Sequence, residues 1–87
     1  MNGPDQVAQL GAFASESTAR AVLAAQQASD PRLMSGLTTR VDGVVVNGKT
    51  MYRAIVAGLA SPDAAEAFCT AVRSENRPCL TRAAARR

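Results

Sequence analysis

The spacing of apolar and polar residues divides the first third of the chain into a strand and a helix. Residues 6–13 alternate around Val7, Leu10 and Phe13, and this predicts a strand. Ser15 is a favourable helix N-cap, and the positions behind it have the i, i+3, i+4, i+7 spacing of one helix face, comprising Ala19, Val22, Leu23 and Gln26. That helix should end near residue 28, because the residue before a proline disfavours helical backbone. Residues 32–36 are predicted to be a loop.

The strongest local signal is the dipeptide Asn47-Gly48, which lies between two runs of apolar residues. It supplies the positive φ angles of a two-residue hairpin turn. Residues 37–46 and 49–59 are therefore predicted to be antiparallel neighbouring strands.

A second helix and a short last strand complete the pattern. Ser61 is placed to cap a helix that begins at Pro62, and its buried stripe comprises Ala65, Phe68, Cys69 and Val72. Residues 79–81 are long enough only for an edge strand. The order strand, helix, strand, strand, helix, strand predicts one small α+β domain over residues 6–82, with flexible ends at 1–5 and 83–87.

The two strand-helix units are a pseudo-repeat. At a constant offset of 46 residues, Ala14, Ser15, Ala19 and Ala21 recur as Ala60, Ser61, Ala65 and Ala67. Such self-similarity indicates that each half is one supersecondary unit and that the two units share a core.

The hairpin turn fixes the register and so decides which side chains share a face. One face is small and mostly apolar, as expected under helices, and includes Val41, Tyr52, Ala54 and Val56. The repeat offset places Gln9 at the position of Ile55, so the opposite, open face should carry Gln9, Arg40, Asp42, Met51, Arg53 and Ile55. This mixture is typical either of a binding platform or of an ordinary solvated sheet face.

Two details of these faces depend on local geometry. Ala8, Leu10 and Ala12 should point to the covered face, unless a bulge near Gly11 or Gly58 breaks the alternation.

Asp42 lies opposite Arg53 in the predicted register, and the two are expected to form a weak cross-strand ion pair.

Composition narrows the function classes. The net charge of +3 comes mainly from nine arginines, which suit planar contacts to carboxylates or phosphates, although the basic C-terminal segment is typical of a solvated tail. The chain has no histidine, and its carboxylates form no convergent pair, so we expect no enzyme activity, metal or cofactor. The spacing of Cys69 and Cys79 matches neither a zinc site nor a redox pair, which leaves core thiols or a disulfide.

No apolar run approaches the roughly 18 residues of a membrane helix, and the first residues lack the layout of a signal peptide. If the protein is exported, we expect this chain to be an excised fragment of it, attached to a membrane only through a region absent from the chain. No large apolar surface remains once the core is assigned, which favours a monomer.

Two motifs resemble those of the SPOR domains, the sporulation-related repeat domains of bacterial cell-envelope proteins. Residues 9–13 read Gln-Leu-Gly-Ala-Phe and residues 52–59 read Tyr-Arg-Ala-Ile-Val-Ala-Gly-Leu. They are similar to the family's Gln-x-Gly-[Ser/Ala]-Phe and Tyr-Arg-Val-x-Val-Gly-Pro-[Phe/Leu]. Each motif alone is weak, whereas the ordered pair with its intervening hairpin is fairly specific, and the resemblance covers residues 6–82.

The resemblance implies a fold and a function. The fold is the ribonucleoprotein-like βαββαβ arrangement, a four-stranded antiparallel sheet with both helices on one face. The function is non-catalytic binding of peptidoglycan in the periplasm. The family prefers glycan strands denuded of stem peptides, which accumulate at the division septum, and so targets its parent protein to that site.

The family's binding surface is the open face of the sheet, and the motif match carries it onto particular positions. These positions are Gln9, Ala12, Met51 and Arg53. Arg40 and Ile55, which the register places on the same face, and Phe13 complete the predicted glycan-binding residues, although Phe13 and Tyr52 are expected to serve the core first. Met51 stands where the family often has an aromatic residue, and Ala57-Gly58 replaces Gly-Pro. The resemblance also implies a disulfide between Cys69 and Cys79, with reduced core thiols as the alternative.

Two other functions are compatible with this sequence. A protein-docking role in an envelope complex could use the alanine-rich helices or the edge of the last strand. An RNA-binding role is weaker, because sheets of this fold that bind RNA stack bases on two or three aromatic residues, and the predicted open face has none.

Overall fold

A computed structural model of the protein describes residues 6–83. The strands are β1 (Gln6–Phe13), β2 (Thr38–Val46), β3 (Lys49–Leu59) and β4 (Leu80–Ala83), and the helices are α1 (Glu16–Ser29), α2 (Pro31–Met34) and α3 (Pro62–Arg73). Residue 83 ends β4, one position beyond the predicted domain. The other residues of the predicted flexible ends lie outside the described residues.

The four strands form one antiparallel sheet in the order β2-β3-β1-β4. Asn47 and Gly48 have the positive φ angles of 51° and 78° that a two-residue hairpin turn requires. The predicted register of β2 on β3 is confirmed at every position, from Val46 opposite Lys49 to Thr39 opposite Val56. The local turn therefore sets the geometry of half of the sheet.

The two long helices, α1 and α3, pack on one face of this sheet. Residues of α1, α3, β1 and β3 form one core, which includes Leu10, Leu23, Val56, Phe68 and Val72. Phe13 and Tyr52 pack against it as partly buried rings. The predicted α+β architecture, with two helices covering one side of a four-stranded sheet, is confirmed.

Side-chain caps explain where the helices begin. The hydroxyl of Ser15 accepts a hydrogen bond from the Thr18 amide, and the hydroxyl of Ser61 accepts one from the Ala64 amide, at 3.2 and 3.0 Å. The loop predicted for residues 32–36 is wrong in its first half, because α2 occupies Pro31–Met34. Asp30 caps this extra turn and proline favours a first helical position, so the signal that ends α1 also starts α2.

Bulges end the regular alternation in β1 and β3. The β1–β3 register shifts between Gln9 and Ala12, next to Gly11, whose φ is 140°. A second shift lies beside Gly58, whose φ is 99°. Each extra residue reverses the face of the sheet to which the following side chains point. As a result Phe13 and Leu59, which occupy equivalent positions in the two repeats, both turn toward the core.

A disulfide joins α3 to the residue before β4. Cys69 and Cys79 are bonded in this structure, which is the pairing that the resemblance implies. The Arg73 Nε donates a hydrogen bond to the Cys79 carbonyl at 3.1 Å. Together these links fix the start of a strand that is only four residues long.

Candidate functional site

The side of the sheet away from α1 and α3 is a continuous surface to which all four strands contribute, and we call it the open face. β2 and β3 provide Thr38, Arg40, Asp42, Val44, Val46, Lys49, Met51, Arg53, Ile55 and Ala57. β1 and β4 provide Val7, Gln9, Ala12, Leu80 and Arg82. Six of the seven residues predicted to bind glycan lie here: Gln9, Ala12, Arg40, Met51, Arg53 and Ile55.

The centre of the open face has a buried aliphatic floor. Ile55 is only 2% exposed and Val7 only 3%, although neither belongs to the core under the helices. Ile55 lies between Arg40 on β2 and Gln9 on β1. No helix within residues 6–83 packs on this side. Several neighbouring open-face side chains are long, and their aliphatic stems can lie along an apolar surface. Ile55 therefore supports the face and offers almost no surface of its own.

Polar side chains above this floor are joined in pairs. The Arg82 Nη1 donates a hydrogen bond to the Gln9 Oε1 at 2.8 Å. The Arg40 Nε donates to the Asp42 Oδ1 at 2.9 Å. Each pair leaves guanidinium N–H groups for a further acceptor, because arginine carries five such donors.

The expected ion pair between Asp42 and Arg53 is wrong. The partner of Asp42 is Arg40, two residues away on the same strand. Residues i and i+2 share a face at roughly 7 Å along a strand, a distance that an arginine side chain spans. Within residues 6–83, Arg53 makes no ion pair, and it lies opposite Ala12 at the middle of the face.

The bulge at Gly11 separates the two neighbouring residues of the first-strand motif. Ala12 lies opposite Arg53 and is exposed, because the bulge near Gly11 breaks the alternation that would have placed it on the covered face. Its contact with a glycan, which the resemblance implies, stays a prediction. Phe13 lies opposite Tyr52 and packs against the core. Phe13 is therefore not part of the open face, because the extra residue turns it to the helix side.

Two open-face residues on β4 are not among the positions predicted from the sequence. Leu80 lies opposite Gln9 and Arg82 lies opposite Val7. The charge pattern of the sequence assigns Arg82 to a solvated basic tail. Leu80 is an apolar residue that is 57% exposed on this face. The pairing of β4 with β1 places both residues on this face, and the only signal in the sequence is their alternation with Thr81 in an edge strand.

Charge and ring content restrict what the open face can bind. Its charged groups are Arg40, Lys49, Arg53 and Arg82 against the single carboxylate of Asp42. All three aromatic residues of the chain, Phe13, Tyr52 and Phe68, pack on the helix side. The face therefore suits a ligand that accepts hydrogen bonds and carries some negative charge, and it lacks rings on which bases could stack.

The part of the chain that the structure describes contains neither a metal-binding cluster nor a membrane-spanning helix. No cluster of three or more histidine, cysteine, aspartate or glutamate residues that could hold a metal ion occurs among residues 6–83. No helix in the same range is long and apolar enough to span a bilayer.

Comparisons with known proteins agree with this geometry. A family model described as "SPOR domain" matches residues 7–83. "Cell division protein FtsN" of Caulobacter vibrioides (strain NA1000 / CB15N) is 36% identical over 74 residues, which are 85% of this chain but only 28% of that protein. Among solved structures, the peptidoglycan binding domain of the B. subtilis cell wall lytic enzyme CwlC has a TM-score of 0.69 at 15% identity, over 98% of this chain and 95% of that one. At that identity the likeness supports the fold alone.

Proposed function

The chain belongs to the SPOR domain family, and from this membership we propose that it is a non-catalytic module that binds peptidoglycan through the open face. The relative FtsN is named as a cell division protein, and the neighbour in CwlC is described as a peptidoglycan binding domain. The observation that carries the proposal is the open face itself, where exposed or half-buried hydrogen-bonding groups from four strands surround a buried aliphatic floor.

The chemistry of the open face suits an uncharged polymer with scattered carboxylates. Sugar hydroxyl and acetamido groups are well hydrated, so a binder gains little from each hydrogen bond and must make several together. Gln9 supplies an amide, and Arg53 and Arg82 supply guanidinium donors at neighbouring positions. We expect modest affinity spread over the face.

A free carboxylate gives a reason for preferring denuded strands. Removal of the stem peptide from N-acetylmuramic acid leaves the lactyl carboxylate ionised and takes away bulk. Arg53, which makes no ion pair within residues 6–83, can form a charge-assisted hydrogen bond to such a group. An intact stem peptide replaces this carboxylate by an amide and removes that interaction.

The cellular location follows from the same proposal. Septal enrichment of denuded glycan would bring the parent protein to the division site, and glycan of this kind lies in the periplasm. The disulfide between Cys69 and Cys79 supports an oxidising compartment, because such bonds are rare in the reducing cytosol.

The test is co-sedimentation of the domain with peptidoglycan sacculi, untreated and after amidase digestion. We expect enrichment on the digested sacculi, and we expect Gln9→Ala combined with Arg53→Ala to reduce retention about tenfold or more, because two charge-assisted or amide contacts are lost. The matched control is Gln27→Ala with Arg20→Ala, which removes the same residue types from the exposed surface of α1.

Three results would count against the proposal. Equal retention on both sacculus preparations would remove the preference for denuded strands. Equal losses in the open-face and α1 variants would move the binding surface elsewhere. A large fall in thermal midpoint for the open-face variant would show that Gln9 and Arg53 are structural.

A further inference from the structure

The outer edge of β2 is the longest unpaired strand edge in the described structure. Within residues 6–83, β2 pairs only with β3. It is nine residues long, contains no proline and shows no bulge in its register. Long, regular edges of this kind present backbone N–H and C=O groups that can pair with another strand.

The hairpin turn determines which residues of β2 point their backbone groups outward. In a two-residue turn the flanking residues Val46 and Lys49 form a hydrogen-bonded pair. Hydrogen-bonded and non-hydrogen-bonded pairs then alternate along the ladder. The N–H and C=O groups directed away from β3 are therefore those of Thr39, Val41, Gly43 and Val45.

We propose that β2 pairs with β2 of a second copy of this chain, antiparallel and centred on Val41. In this register Val41 lies opposite Val41 of the second copy, and Thr39 lies opposite Gly43. The outward-pointing groups of both copies then meet as hydrogen-bonded pairs. The result is a two-fold symmetric dimer with one eight-stranded sheet, in place of the monomer that the sequence favours.

Charge complementarity selects the second copy as the occupant and fixes the register. With Val41 at the centre, Arg40 of each copy lies opposite Asp42 of the other. The existing Arg40–Asp42 pair on each strand then becomes part of a ring of four alternating charges. Opposite charges directly across an antiparallel pair stabilise it, and like charges destabilise it.

Other registers of the same pairing lose this match. Moving the symmetry axis by one residue places Arg40 opposite Arg40 in one direction and Asp42 opposite Asp42 in the other. The Val41-centred register also sets the 72% exposed Val45 opposite Leu37, which joins two apolar side chains. The most exposed apolar residue of the edge is then partly covered.

The dimer goes beyond glycan binding and does not depend on it. Opposite residues in an antiparallel pair lie on the same face of the sheet, so the open faces of both copies point in one direction. Two platforms on one side could engage neighbouring segments of one polymer, and such linkage raises avidity without new contacts.

The first test exchanges the charges and measures mass by sedimentation equilibrium over about a hundredfold range of concentration. Wild-type chain should show a concentration-dependent dimer. Arg40→Glu alone and Asp42→Arg alone should each weaken it about tenfold, equivalent to about 1.4 kcal/mol. The double exchange, Arg40→Glu with Asp42→Arg, should restore it.

A mixture of the two single variants distinguishes pairing from a loss of folding. The clash within each variant's own strand persists in the mixture, but every cross-chain pair is again of opposite sign. We expect a one-to-one mixture to form heterodimer at concentrations where each variant alone is monomeric. A monomeric wild type, a dimer indifferent to Arg40→Glu, or a mixture without heterodimer would each overturn the proposal.

Cysteine cross-linking checks the centre of symmetry independently. Val41→Cys places two thiols opposite each other across the axis, at a Cα separation of about 5.5 Å, which a disulfide spans. Val45→Cys is the control, because its position is more exposed but faces Leu37 of the second copy. Faster dimer cross-linking at Val41 is expected. Faster cross-linking at Val45 would indicate random collision and would contradict the register.

Discussion

At the scale of single residues, Gly11 controls which neighbours reach the open face. Its φ of 140° lies in a region that side chains rarely adopt. A Cβ built there would lie 2.6 Å from the Phe13 ring. The glycine thus permits both the bulge that turns Phe13 inward and the close approach of its ring.

Gly11→Ala should lower the free energy of unfolding by about 1–3 kcal/mol, because the backbone is strained and the Phe13 ring must move. The measurement is equilibrium unfolding in urea. Gly43→Ala is the control, since a Cβ at that position would meet the Tyr52 ring at an ordinary 3.6 Å. Equal losses in both variants would contradict the role assigned to Gly11.

The residue scale also shows where sequence reasoning stops. The turn register places Arg40, Met51, Arg53 and Ile55 on one face, because alternation along a strand is a local rule, and the repeat offset adds Gln9. The partner of Asp42 depends on the path of the Arg40 side chain along the sheet, and alternation carries no information about that path.

At the scale of elements, local signals are sufficient for every strand and for the two long helices. Ser15, Ser61 and the Asn47-Gly48 turn each mark a boundary within one or two residues of the observed one. The sequence pattern does not predict α2, because Asp30-Pro31 is the signal that ends α1 and also the signal that begins α2. The four residues of β4 have too little pattern to choose a partner strand, and for this reason the residue pattern does not place Arg82 on the open face.

The disulfide compensates for the shortness of β4. The bond closes a segment with a sequence separation of 10, and Cys69→Ala with Cys79→Ala should cost about 2–3 kcal/mol of stability on the chain-entropy estimate. Because β4 gains most from the bond, its amides should lose more hydrogen-exchange protection than those of the β2–β3 hairpin. Uniform loss across the sheet would mean that the bond stabilises the whole domain equally.

At the scale of the whole molecule, the rings and the charges are segregated. All three aromatic residues pack under the helices, while the open face has four cationic side chains and one carboxylate. The ribonucleoprotein-like architecture is therefore present without the stacking residues that nucleic-acid binding on such a sheet uses.

Single-stranded RNA should consequently bind only weakly and through charge alone. Filter binding at increasing salt should show a steep, sequence-independent decline, because counterion release is then the main contribution. Retention on glycan should change much less over the same range. Sequence-selective RNA binding that persists at high salt would contradict the assignment of the open face.

The buried Ile55 gives the open face a reserve of apolar surface. Its register neighbours Arg40 and Gln9 have long side chains, which can rotate about their own bonds without any change in the backbone. A sugar ring placed there would meet an aliphatic surface, and water would be released from both partners. Recognition by a face without a single aromatic ring can thus draw part of its driving force from dehydration, which becomes available only when the ligand arrives.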